Sequence, residues 1–176
     1  MKKFLFIVTI IFLSVSAFKA QTQPVQKIGY VDSQVMLSTL PEAIKAQGEL
    51  DKIAKGWYAK ADSMTTALQS EYATYQKQQG TMTPEKLKEA QQNIVGKEQE
   101  LSQFKQVKFA QGGDLYKKQE ELFAPVKEKI MKGIQEVAKE ENMNFVFDKA
   151  GDVLLLYADT QYDITYKVLD KLKRGK

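Results

Sequence analysis

Leu50-Asp-Lys-Ile53-Ala-Lys-Gly-Trp57-Tyr-Ala-Lys-Ala61-Asp-Ser-Met64-Thr-Thr-Ala-Leu68-Gln-Ser-Glu-Tyr72-Ala-Thr-Tyr75 places an apolar or aromatic residue at steps of 3, 4, 4, 3, 4, 4 and 3. The spacing averages close to the helical repeat, so these eight side chains share one face of a helix and the charged residues take the rest. Five residues further on, Gly80-Thr-Met-Thr-Pro84 interrupts the pattern. Thr83 is a natural N-cap and Pro84 a natural first helical residue, so a second helix starts here. Leu87, Ile94, Leu101, Leu115 and Leu122 then follow a seven-residue register with Lys108 in the one remaining slot, and Ala90 and Phe104 supply the alternate seam. That is a coiled-coil pattern. The two patterns describe an antiparallel helical hairpin over residues 41–124 with its tip near 80–84. A helix from residue 44 to 79 is about 54 Å long, so the hairpin is a rod.

Folding the chain about residue 82 sets position n opposite 164 − n, which brings Trp57 to Val107 and Lys108, Leu50 to Leu115 and Leu68 to Gly96. Gly96 then reads as a close approach of two backbones, and Gly112-Gly113 as a hinge or bend. The arm holds 12 basic and 12 acidic residues, so its surface is mixed in sign and carries no patch suited to phosphates. Tyr58, Phe109, Tyr116, Phe123 and Met82 lie off the hairpin seam or at its tip, where a two-helix rod has nothing to cover them.

The segments on either side of the rod form a smaller unit of 72 residues, 21–40 and 125–176. Lys27-Ile-Gly-Tyr-Val-Asp32 reads as a strand leading into a short helix, Ser33 to Leu40. Beyond Pro125, the residues Val126, Ile130, Ile134 and Val137 mark a helix ending near Asn142. Asn144-Phe-Val-Phe-Asp148 and Val153-Leu-Leu-Leu-Tyr157 flank Lys149-Ala-Gly-Asp152, which predicts a β-hairpin with Gly151 at positive φ. Asp163 caps a last helix that ends in a basic turn. A unit this small buries only about 60% of its unfolded surface, and the strand at 153–157 is apolar on both faces. Association of several copies through Ile28, Tyr30, Val31, Val153, Leu154, Leu155 and Leu156 answers both difficulties.

Composition removes many activities. The chain of 176 residues has neither Cys nor His, which excludes thiol and imidazole nucleophiles, disulfides and ordinary zinc or haem sites. No cofactor or metal is expected, nor a small-molecule substrate. The carboxylates Asp148, Asp152, Asp159 and Asp163 read as turn and cap residues rather than acid-base pairs, so the chain is not expected to be an enzyme. No glycine-rich phosphate loop is present to drive a nucleotide cycle. The start, Met1-Lys-Lys3 followed by the apolar run Phe4 to Leu13 and the small residues Ser14, Ser16 and Ala17, has the form of a secretory signal over residues 1–20, cleaved after Ala17 or Ala20. Its removal brings the net charge from +4 to +1, so the excess belongs to the signal and no nucleic-acid partner is expected.

The order of these segments resembles the Skp/OmpH family of periplasmic chaperones: Ile28-Gly-Tyr-Val-Asp32, an inserted charged hairpin, then Asn144-Phe-Val-Phe-Asp148, Leu155-Leu-Tyr157 and Asp163-Ile-Thr-Tyr-Lys-Val-Leu169. The resemblance implies an α+β chain that trimerises: strands of three subunits close a small barrel-like body, and three coiled-coil arms project around a cavity. It also implies ATP-independent holding of unfolded outer-membrane proteins in the periplasm, with transient contact at the membrane surface. The arms here sum to zero charge and the chain has one arginine, Arg174, so a lipopolysaccharide site does not carry over. Trp57, Tyr58, Met64, Tyr72, Tyr75, Met82, Phe104 and Phe109 are the candidate client-facing residues, and Gly112 and Gly113 the hinge. The alternative is a structural coiled-coil adaptor in the periplasm that docks on one folded partner.

Overall fold

The structure is a computed structural model that describes residues 26–152 and 154–175. The signal segment, both cleavage positions and Val153 lie outside the described residues. The chain opens with strand β1 (Ile28–Val31) and helix α1 (Ser33–Thr39). The α1 N-terminus is set by Asp32, whose side chain accepts from the Val35 amide at 3.0 Å, supplying a partner for one of the first-turn donors that a helix leaves free. Pro41 then starts α2 (Pro41–Gln78), a single helix of 38 residues. One 3-10 turn, Gln79–Thr81, reverses the chain, and Thr83 caps α3 (Pro84–Phe109), with Pro84 at its first turn. After a four-residue break comes α4 (Asp114–Glu140), then β2 (Phe145–Asp148) and, beyond a second 3-10 turn at Thr160–Tyr162, α5 (Thr165–Arg174).

Polar ties across the arm place its register within about one turn of the fold about residue 82. Gln91 Nε2 donates to Tyr75 Oη at 2.7 Å, Lys97 pairs with Glu71, and Lys108 Nζ lies 4.7 Å from the Trp57 ring. The seam between the distal limbs is thin. Ala61 of α2 and Ile94 and Leu101 of α3 are buried, whereas Leu68 and Leu87 are only half covered. Gly96 is not a close approach, because a Cβ there would meet open space. The returning limb is also not one helix: it stops at Phe109 and restarts at Asp114, with Gly112 and Gly113 in the break.

Pro125 does not end a helix. It sits inside α4, which runs through it, although a proline there removes one backbone hydrogen bond and crowds the preceding turn. Buried Phe123 and Val126 flank it and fasten both sides of the ring to the base. The base core comprises Val31, Met36, Leu40, Ala43, Ala46, Leu50, Phe123, Val126, Ile130, Val137, Ile164, Val168 and Leu169. It therefore climbs three turns into the arm, past the boundaries at 41 and 124.

Among the described residues the expected β-hairpin does not form. β2 pairs with β1, in parallel, with Ile28 opposite Phe145, Gly29 opposite Val146, Tyr30 opposite Phe147 and Val31 opposite Asp148. Parallel neighbours need a long crossover, and the whole arm with α4 provides it. Both ends of the ladder are closed: the Asn144 amide donates to Lys27 O at 2.8 Å, and the Lys149 amide to Val31 O at 2.7 Å. Asp148 also accepts from the Ser33 and Ala150 amides, which turns the chain away from β2 instead of back along it. Gly151 has no positive φ; that conformation falls to Asn142, Gly112 and Gly175. Residues 154–159 form neither helix nor strand.

Candidate functional site

Two surfaces lack cover. The first lies along the arm. Tyr58 stacks on Phe109 with ring centroids 4.5 Å apart and planes at 8°, and Phe104 meets Phe109 edge-on at 6.4 Å. Trp57, one residue earlier on α2, holds the Lys108 ammonium over its ring. Tyr58, Phe104 and Phe109 form one cluster beside the break in the returning limb, and Trp57 lies at the same level under Lys108. Tyr58 remains 53% exposed despite the stack, and Tyr116, Val107 and Ile44 are exposed on the same stretch of the arm. The other candidates stand apart: Met64 is half-buried toward the seam, Tyr72 is exposed, Tyr75 is tied by its hydroxyl to Gln91, and Met82 is half-buried at the tip. Trp57 and Tyr75 are about 27 Å apart along α2 at the helical rise. The cluster and the tip residues are thus separate places on the rod.

Toward the base, on the first turns of α2 and along α4, several charges are paired. Lys45 faces Glu49, Lys118 faces Glu121 at 2.6 Å, Lys127 faces Glu120 at 3.1 Å, Lys129 pairs with Glu42, and Lys132 faces Glu128 at 2.8 Å. Hydrogen bonding from Lys108 holds the Asp114 carboxyl below the usual carboxylate range, and Lys129 does the same for Glu42. Exposed pairs of this kind add little stability. The arm as a whole is polar and uncharged on average, with 12 basic and 12 acidic residues between its apolar spots.

The second surface is on the base. Residues paired in register across a sheet share a face, so Ile28, Tyr30, Phe145 and Phe147 form one face, and Val31 and Val146 turn to the core on the other. Phe145 and Phe147 are exposed, as is Ile28. Alongside runs the irregular segment in which Leu154 is 83% and Leu156 86% exposed, with Leu155 half-buried. A 690 Å³ groove between them is lined by Ile28, Tyr30, Phe147, Leu155, Tyr157 and Tyr162. Of the seven candidate interface residues, Tyr30 and Val31 are buried within their own chain, because β2 and the Asp163–Thr165 turn close over β1: the Ile164 amide donates to Tyr30 O at 3.0 Å, and the Asp32 amide to Thr165 Oγ1 at 2.9 Å. The sequence reading missed Phe145 and Phe147. Their signal was the period-two alternation of Phe145-Val-Phe147, which the expected hairpin hid.

The acidic turn residues are committed to the backbone. Asp159 accepts from the Gln161 amide, Asp163 from the Thr165 amide at 2.8 Å, and Asp148 from two amides. Among the described residues no group of three or more potential metal ligands comes together.

The chain thus combines a long arm of zero net charge bearing exposed aromatics with a small base whose sheet exposes Ile28, Phe145 and Phe147. The chain belongs to the OmpH-like family, whose model, described as outer membrane protein (OmpH-like), matches residues 27–172. It shares its fold with a protein of Caulobacter crescentus CB15 described as a candidate outer membrane chaperone, OmpH-like: the TM-score is 0.69 at 16% identity, over 91% of this chain and 92% of that one. No characterised protein in the curated collections matches the sequence.

Proposed function

We propose that the protein is an ATP-independent periplasmic holdase that keeps unfolded outer-membrane proteins from aggregating, held between the arms of a homotrimer. The observation that carries this reading is on the arm: its 12 basic and 12 acidic residues sum to zero, while Tyr58, Tyr72, Val107 and Tyr116 keep exposed apolar area. An unfolded apolar chain is held by many such spots, each contributing about 25 cal/mol per Å² of shared apolar area, and weak distributed contacts suit a client without fixed shape. Tyrosine and methionine add adaptability at modest entropic cost. The uncovered base face, through Ile28, Phe145, Phe147, Leu154 and Leu156, supports joining of copies, and a common base would set the arms around one space. The signal segment supports export, and Gly112-Gly113 serves as the joint of the arm.

The test is dilution of a urea-unfolded outer-membrane barrel into buffer with and without the mature protein, read as turbidity and as the mass of the soluble species. Suppressed turbidity with a defined complex is the expected result. Unchanged aggregation, together with tight binding to one folded periplasmic protein, would replace the holdase with an adaptor.

A further inference from the structure

Both limbs of the arm are weakened at one level. In the returning limb α3 stops at Phe109 and α4 starts at Asp114. Between them Gly112 takes φ +73°, and Gly113 has no room for a side chain, since a Cβ would stand 2.8 Å from the carbonyl oxygens of Val107 and Ala110. The outgoing limb, α2, runs past this level unbroken but carries Gly56, next to Trp57, whose ring lies under Lys108. Nothing lies within 4 Å of the position a Gly56 Cβ would take. No close approach therefore accounts for that glycine, which weakens the helix by roughly 1 kcal/mol relative to alanine.

A break opposite a weak helix would leave the outer arm free to swing, and one side chain opposes this. Lys108, in the last turn of α3, donates to Asp114 Oδ2 at 2.5 Å, and Asp114 is the first residue of α4. The same ammonium stands 4.7 Å from the Trp57 ring of α2. A single cation thus ties three helices at the level where all three are soft, combining a charge-assisted hydrogen bond with a cation–π contact. Lys108 is also the residue that occupies a core slot of the heptad register, where a leucine would have packed without reaching Asp114.

We infer that Gly56, Gly112 and Gly113 form a joint across the arm, and that Lys108 is its latch, fixing the direction of the outer arm through Asp114 and Trp57. The Lys108 and Asp114 side chains are 25% and 33% exposed, so counterions reach the latch and salt loosens it. The inference concerns the arm alone and stands or falls independently of what the arm holds.

The mature chain has no cysteine, so Gln92→Cys and Gln119→Cys spin labels on either side of the break, diluted in unlabelled protein, read the bend within one chain as a dipolar distance distribution. The parent should give one narrow distance. Lys108→Met and Asp114→Asn should each at least double its width, Lys108→Arg should keep it narrow, and Gly56→Ala added to Lys108→Met should narrow it again. Salt at ~0.5 M, where screening acts over a few Å, should broaden the parent and leave Lys108→Met unchanged. Equal widths for the parent, Lys108→Met and Asp114→Asn would overturn the latch. Should Lys108→Met lose helicity by circular dichroism, the near-isosteric Asp114→Asn decides alone.

Discussion

Asp32 accepts from the Val35 amide at 3.0 Å and faces Lys149 at 3.4 Å, where β1 gives way to α1. The Val35 hydrogen bond, with help from Lys149, holds its carboxyl below the ordinary value. A lowered folded-state pKa means stability that is complete above the unfolded value, about 3.9, and is lost as pH falls through the lowered one. Asp32→Ala should cost about 1 kcal/mol, as loss of a helix cap does. It should also flatten the acid limb of stability against pH in urea titrations. Equal slopes for parent and variant below pH 5 would show the cap to be idle. Along the arm, Tyr58→Ser with Phe109→Ser removes the stacked pair and should weaken capture of an unfolded barrel while association through the base persists. A capture curve identical to the parent's would take both residues off the client surface. Several residue-scale features were legible in the sequence. Thr83 and Pro84 start a helix as their chemistry dictates, and Trp57 finds Lys108 because folding about residue 82 sets them opposite. The fate of Tyr30 and Val31 was not legible, since their burial depends on Thr165 and Ile164, more than 130 residues away.

Among elements, α2 and α3 follow from periodicity, which is local. The pairing of β2 does not. Its sequence neighbour at 153–157 looked like its partner, but the crossover delivers β2 beside β1, whose backbone groups are free to pair, and Asn144, Asp148 and Lys149 seal the parallel ladder at both ends. Strand choice was a matter of which edge the fold brings near, and no nearby residue signals that. Gly133 was missed for the same reason. It lies where α5 docks on α4, and a Cβ there would stand 2.8 Å from Leu172 Cδ2 and 3.2 Å from Val168 Cγ1. Gly133→Val should force the two helices apart and cost about 1–3 kcal/mol, as overpacking does, read as a lower urea midpoint with an unchanged slope. A midpoint equal to the parent's would mean that α5 adjusts without strain. Ala at the same place is the milder case, because the Leu172 methyl can shift.

For the whole molecule, the base has a well-filled core on one side of its sheet and exposed phenylalanine on the other, with Leu154 and Leu156 bare beside it. In the proposed trimer this exposed apolar face is where the copies join. Leu154→Asp with Leu156→Asp should therefore separate the copies while leaving the arm helical, with the same far-ultraviolet circular dichroism and a smaller sedimentation coefficient. An unchanged sedimentation coefficient would move the interface elsewhere. The expectation of several copies rests on arithmetic, since a unit of 72 residues with a doubly apolar segment buries comparatively little of its surface alone. Which face would meet another copy was not legible, because the segment at 154–159 forms no strand within one chain. The most direct measurement is multi-angle light scattering of the mature protein at micromolar concentration. A mass of three chains, with hydrodynamic drag greater than that of a compact sphere, is the expected result. A compact particle of one chain mass would contradict it.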